Sequence, residues 1–329
     1  MFRSITARRR ISLLTSSSLV ASTVSGGALV FAALTPSAAL AAPGCVTLVN
    51  VTTCNGAVAV PTTINITTSP QDVLFEGFSD TANTAVNTAV VTVNANNQIV
   101  NLDYNDSVAG SSASTITNTG AGDALDITDN SQNVTVTSDI TTVGGPGGLF
   151  GGTNGTGLVV NNQSAGSGNI NVTAVNTITG GGGGIHTLAA GGATTIDVTS
   201  TGAVSSTTGN AILASGGGHI TVTGSGTVSG GTLGDGIQIQ GKGGVTVDLT
   251  GNITGDPGIN VKDTSAVGIH LTPGNVSGGA FGIQAVENGA GPIDIAPTGN
   301  VSASTGTGIS AVGTGAGNIT TTGHTVSGG

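Results

Sequence analysis

The sequence predicts an all-β chain wound into a parallel β-helix, with about 25 residues and three short strands in each coil. Three observations predict it. A phrase recurs seven times from about residue 155: Gly-x-Gly-Ile-x-apolar, a glycine-rich turn, Ile-x-Val-x-x-Thr-Gly, then Val-Ser-Gly. Its anchors are Leu158, Ile185, Ile212, Ile237, Ile259, Ile283 and Ile309, which follow one another at nearly even intervals. A near-constant period, built of short β-like runs between glycines, marks a solenoid in which each repeat covers the next. The composition agrees: 58 of 329 residues are glycine, aromatics are 2% and charged residues 7%. An ordinary globular domain has roughly a quarter of its residues charged. Disorder is the weaker account of so much glycine, because Val, Ile and Thr are abundant and alternate with polar residues.

Taken in order, the first element is an address. Arg3 and Arg8–Arg10 precede a mostly apolar stretch from Ile11 to Leu34, and Ala39-Leu40-Ala41 closes it as an Ala-x-Ala cleavage pattern. Ser, Thr, Gly26 and Gly27 dilute the run below what a stable membrane span needs. Residues 1–41 therefore read as an export signal, with the general secretory and twin-arginine routes both open. Next comes an N-terminal cap segment, residues 42–84, holding the only two cysteines, Cys45 and Cys54. In an exported chain a lone pair this close reads as a disulfide. The residues between them, Val46 to Thr52, read as one strand, so the loop would pin the chain's lead into the fold.

Residues 85–329 read as the coils, clearest over 155–329, with the first coils expected near 85–120. The first strand of each coil alternates, as in Ile237-Gln-Ile239 and Ile259-Asn-Val261. The second does so most clearly, as in Ile196-Asp-Val198, Val245-Thr-Val247-Asp-Leu249 and Ile293-Asp-Ile295. The third rests on a single apolar residue: Ile178, Val204, Val228, Ile253, Val276, Val301 or Val326. Glycines and asparagines fill the corners. Coils stacked about 4.8 Å apart would bury an Ile/Val column, and nine or ten would make a rod about 45 Å long. Right-handed winding is expected, as for nearly all parallel crossovers.

Charge excludes one class of function. Past the signal the chain has two lysines, Lys242 and Lys262, against sixteen acidic residues, a formal charge of −14, and it has no arginine. Without a basic patch or stacking aromatics, nucleic-acid binding is not expected.

With the signal segment, the Cys45/Cys54 pair and the Gly-x-Gly-Ile … Ile-x-Val … Thr-Gly-x-Val-Ser-Gly repeats in view, the chain resembles the β-helical passenger region of bacterial autotransporters. These are type V secreted, adhesin-like proteins. The resemblance implies export through the periplasm, then display at the cell surface and outer membrane or release. It also implies passenger roles such as adhesion, aggregation, proteolysis or ester hydrolysis. Expected partners are glycans or proteins of a host or cell surface, or like molecules. The family's aromatic-rich C-terminal translocator barrel has no counterpart in these residues. Membrane association is thus expected only through such a barrel, and the natural chain is expected either to continue past Gly329 or to be secreted by other means.

Candidate chemistry is sparse. β-Helix polysaccharide lyases and glycosidases carry acidic and basic groups on the outside of one strand across neighbouring coils. Here the outward second-strand residues are Asp197, Thr221, Thr246, Asp248, His270 and Asp294. Asp248, His270 and Asp294 make the best constellation for a secreted carbohydrate-active enzyme, the alternative reading, yet no arginine accompanies them. A calcium-repeat likeness at Gly231–Ile237, echoed at Gly122-Asp123, lacks tandem copies. His186, His219, His270 and His324 fall at different phases of the repeat. The glycine runs at 180–184 and 216–218 lack the lysine and helix of a phosphate loop. Catalytic, cofactor and metal residues are therefore all expected to be absent, and the role to be structural or adhesive.

Overall fold

A computed structural model of the chain describes residues 44–48, 50–55, 61–67, 69–76, 78–95, 98–103, 114–129, 132–137, 148–162, 168–191 and 194–329. The expected export signal lies outside the described residues. The fold is an all-β parallel solenoid of about nine turns and about 26 residues per turn. Among the described residues its three sheets hold ten, twelve and ten strands, parallel throughout except for Gly44–Leu48 at one edge of the second.

The register is that of the repeat. On the first sheet Leu158, Ile185, Ile212, Ile237, Ile259, Ile283 and Ile309 stand one above another. On the second sheet Ile170, Ile196, Ile220, Val245, Ile269 and Ile293 do the same. The single apolar residues of the third strand form the third column, from Ile178 to Val326. Nearly all these side chains are buried, so the three columns meet in one continuous core. A one-residue slip of any strand would exchange its buried and exposed sets, which fixes the register.

The second glycine of Gly-x-Gly-Ile faces inward, against the third-strand residues of the coil. A Cβ on Gly258 would lie 2.6 Å from Val276 Cγ1, and one on Gly184 2.6 Å from Val204 Cγ1. The motif thus records a packing contact between sheets as well as a turn. Ala124 and Ala211 occupy the same phase in two other coils and are fully buried there.

The N-terminal segment differs from expectation in two respects. Val46 to Thr52 is not one strand: Gly44–Leu48 and Val51–Asn55 form an antiparallel hairpin. A single extended span cannot run straight when its ends are joined, and Cys45 and Cys54 are disulfide-bonded directly across the hairpin. The hairpin's second strand then pairs in parallel with Gln71–Glu76. Coil-on-coil pairing also begins before residue 85. Thr62–Asn65 lies beneath Val91–Asn94, and Gln71–Glu76 beneath Val100–Asp103. These coils escape the period because they are longer. Thr62, Val91, Leu125 and Leu158 share one column, and each step along it takes more chain than any step from Leu158 onward. Here Phe75 and Phe78 fill the interior, with ring centroids 4.9 Å apart.

Candidate functional surface

The inward columns leave every second side chain of each strand facing out, so the surface consists of straight ladders with one residue per coil. On the second sheet one ladder runs Asn171, Asp197, Thr221, Thr246, His270, Asp294. A second, two residues further along, runs Thr173, Thr199, Thr223, Asp248.

This register corrects the catalytic constellation. His270 and Asp294 are neighbours on adjacent coils. Asp248 stands on the Thr ladder above Thr223, displaced by two residues, about 6.6 Å, along the strand. The strand above it, Ile269–Leu271, ends before reaching that position. What pairs with His270 in the coil below is Thr246. The alternation Val-Thr-Val-Asp-Leu offers two outward residues, Thr246 and Asp248, and the sequence alone does not say which of them meets His270.

The four histidines are dispersed, as their phases imply. His186 faces out from the first sheet, within Gly183–Ala189, and His270 from the second. His219 precedes Ile220–Gly224, with Nε2 3.1 Å from Thr246 Oγ1 of the next coil. Partial burial pushes the His186 imidazole below its usual range, opposed by the charge of Asp123.

The residues of the calcium-like phrase are built into another ladder, at the leading edge of the first sheet. Asp235 donates its N–H to Asn210 Oδ1 at 2.8 Å and accepts from Asn260 Nδ2 at 3.0 Å. Asn210 Nδ2 also donates to Gln238 Oε1 at 3.0 Å. One residue, Asp235, therefore ties three successive coils. Burial pushes the Asp235 carboxyl up to about 6, with Asn260 and Gln238 as opposing donors and Asp256 adding to the rise. Asp123 plays the matching role in an earlier coil, accepting the Thr156 N–H at 2.6 Å. Asp126, outward on the same sheet, is also held at about 6 by burial and by Asp123, against a hydrogen bond from Thr128. Among the described residues no three His, Cys, Asp or Glu side chains converge as metal ligands would.

The same inter-coil bonding recurs elsewhere on the surface. Asn94 donates to Asn65 at 3.0 Å, Asn101 to Asp72 at 2.9 Å and Asn275 to Asn252 at 3.1 Å. Thr199 and Thr223 share a 3.2 Å hydroxyl bond. The sequence reading did not identify the Asn210–Asp235–Asn260 ladder. The signal for it was an Asn or Asp two positions before the anchor isoleucine, visible at Asn210 and Asp235.

No protein-family model, no curated protein and no solved structure matches this chain.

Proposed function

We propose that the chain is an exported, cell-surface solenoid of the autotransporter-passenger type, with a structural and adhesive role and no catalytic one. The observation that supports this reading best is the outer surface itself. Hydroxyl, amide and carboxylate groups recur once per coil in fixed register, about 4.8 Å apart, over a stiff apolar core. Such a surface offers many weak, repeated hydrogen-bonding positions and suits avidity toward a repeating partner, such as a glycan or a like molecule. The basic leader, the Ala-x-Ala pattern and the cysteine pair support export.

The test is to attach the full chain at high density to beads and measure clumping and retention on glycan-coated and protein-coated surfaces. Retention that grows steeply with surface density, and that no single ladder substitution abolishes, is the expected result. Retention indistinguishable from bare beads on every surface refutes the adhesive reading.

A second reading, a carbohydrate-active enzyme that cleaves a polysaccharide as a lyase or glycosidase, has one observation in its favour, the adjacency of His270 and Asp294. Its check is release of reducing or unsaturated ends from polysaccharides by the full chain. Release that is lost in Asp294→Asn would favour that reading over the adhesive one.

A further inference from the structure

The interior is mostly apolar, and its buried polar groups collect mainly at strand ends. Strands Ile259–Asp263 and Phe281–Glu287 pair so that Asp263 and Glu287 stand opposite each other, on successive coils about 4.8 Å apart. Both residues close their strands, point inward and are 0% exposed. Burying one carboxylate is costly, and two in contact cannot both ionise without an opposing charge.

No such charge faces them among the described residues. Lys262 lies beside Asp263 in sequence but on the outer face of its strand, and Lys242 is exposed in the turn of the preceding coil. His270 and Asp294, on the second-sheet strands that follow, point outward. His219 is bonded to Thr246 and stands against Gly244. The flanking first-sheet strands Ile237–Gln240 and Thr307–Gly313 carry no titratable side chain.

The hydrogen bonds around the pair leave one position open. Asp263 Oδ2 accepts the Ser265 hydroxyl at 2.5 Å and its N–H at 3.3 Å, and Oδ1 accepts the Gly244 N–H at 3.4 Å. Glu287 Oε1 accepts the Gly289 N–H at 2.7 Å. Glu287 Oε2 is buried and receives no donor, and the Asp263 carboxyl lies within hydrogen-bonding reach of Glu287. Nothing else can fill the gap from the same column. Below Asp263 is Gly241, where even a Cβ would come within 2.9 Å of Oδ1, and above Glu287 is Gly313.

We propose that Asp263 and Glu287 hold one shared proton inside the solenoid, as a carboxylic acid donating to a carboxylate, and that this pair ties the integrity of its coils to pH. The proton sits on Glu287 Oε2, the one oxygen of the four without a donor, and is given to Asp263. A divalent cation is the poorer occupant. Three of the four oxygens already face N–H or O–H groups, whose positive ends would oppose it, and calcium takes six to eight oxygens. Burial, and then the neighbouring Asp263, push the Glu287 carboxyl up from its usual value, against the Gly289 N–H. The folded form therefore holds a proton that the unfolded form has lost. Stability is fully present below the unfolded value and falls as pH rises through the raised one. In a solenoid each coil contacts only its neighbours, so the loss is local to the coils around residues 259–295.

The test is infrared spectroscopy of the full chain in D2O at pH 6, wild type minus Glu287→Gln, joined to melting midpoints from pH 5 to 8. The expected result is a protonated-carboxyl band in the difference spectrum, with a midpoint that falls more from pH 5 to 8 in the wild type than in Glu287→Gln. Asp263→Asn supplies the second arm and carries the test if Glu287→Gln does not fold. Removing the acceptor charge should make the band vanish at a lower pH than in the wild type. Absence of the band at pH 6, or its disappearance at the same pH in Asp263→Asn and wild type, overturns the shared proton. So does loss of the band on adding millimolar calcium, which would make the pair a cation site.

Discussion

Replacing Asp235 by Asn should stabilise this solenoid at neutral pH, contrary to the usual cost of altering a buried hydrogen-bonded group. Asp235 is 5% exposed, and burial holds its carboxyl at about 6 against an ordinary 3.8. Each pKa unit corresponds to about 1.4 kcal/mol, so the displacement is worth at most about 3 kcal/mol, less what solvent screening removes. The sign follows from linkage. The folded value is raised, so this stability is complete below pH 3.8 and is lost as pH rises through 6. Asparagine has the same shape and no charge. It can keep the bond to residue 260 with the Asn260 amide turned over, and its own N–H still reaches Asn210 Oδ1. The assay is urea unfolding of both proteins at pH 4 and pH 7.5, followed by circular dichroism. The wild type should lose up to about 3 kcal/mol more than Asp235→Asn between the two pH values. Equal losses, or an Asp235→Asn protein less stable than wild type at pH 7.5, would refute the reasoning.

Other outcomes follow from the packing. Gly258→Ala should cost roughly 1–3 kcal/mol, because its Cβ meets Val276 Cγ1 at 2.6 Å and the Gly282 carbonyl at 2.8 Å; thermal melting checks it, and a neutral result would mean that the sheets part easily. Ile259→Ala should cost roughly 2–5 kcal/mol, with hydrogen-exchange protection lost first in the neighbouring coils and retained in Leu125–Asp129 and Val134–Thr137. Reducing Cys45–Cys54 should release a closed loop worth about 3 kcal/mol, seen as early proteolysis of the hairpin while the later coils resist. Asp126→Asn should share the pH signature of Asp235→Asn, since burial raises its carboxyl to about 6 as well.

The coils from Leu158 onward were legible because their register is written at nearly constant spacing, and three columns of Ile and Val can be aligned without coordinates. The coils before Leu158 are legible only as isolated alternations, because a longer run of chain separates successive anchors such as Val91, Leu125 and Leu158. Between Val100–Asp103 and Thr115–Asn118 the sequence has no sustained apolar–polar alternation to mark a coil. The hairpin reads as one strand in sequence because five of the seven residues from Val46 to Thr52 are β-branched and only Asn50 favours a turn. On the surface, periodicity states which residues point out but not which outward residue of one coil meets which of the next. Alternation therefore groups Asp248 with His270 and does not mark the Asn210–Asp235–Asn260 ladder. The Asp263–Glu287 pair lay hidden for a related reason. A charged residue at the end of an alternating strand reads as solvated, and only the inward phase at the corner shows it buried.

The central claim is that each coil gives one strand to each of three sheets in fixed parallel register, and a spin-label distance tests it most directly. Cysteines placed at Asn171 and Asp294 lie in the same outward ladder, five coil steps apart. With nitroxide labels on both, dipolar spectroscopy should give a single narrow distance near 24 Å, five steps of about 4.8 Å. A broad distribution, or a distance that does not scale with the number of coils when the second label is moved to Thr246, would contradict the account.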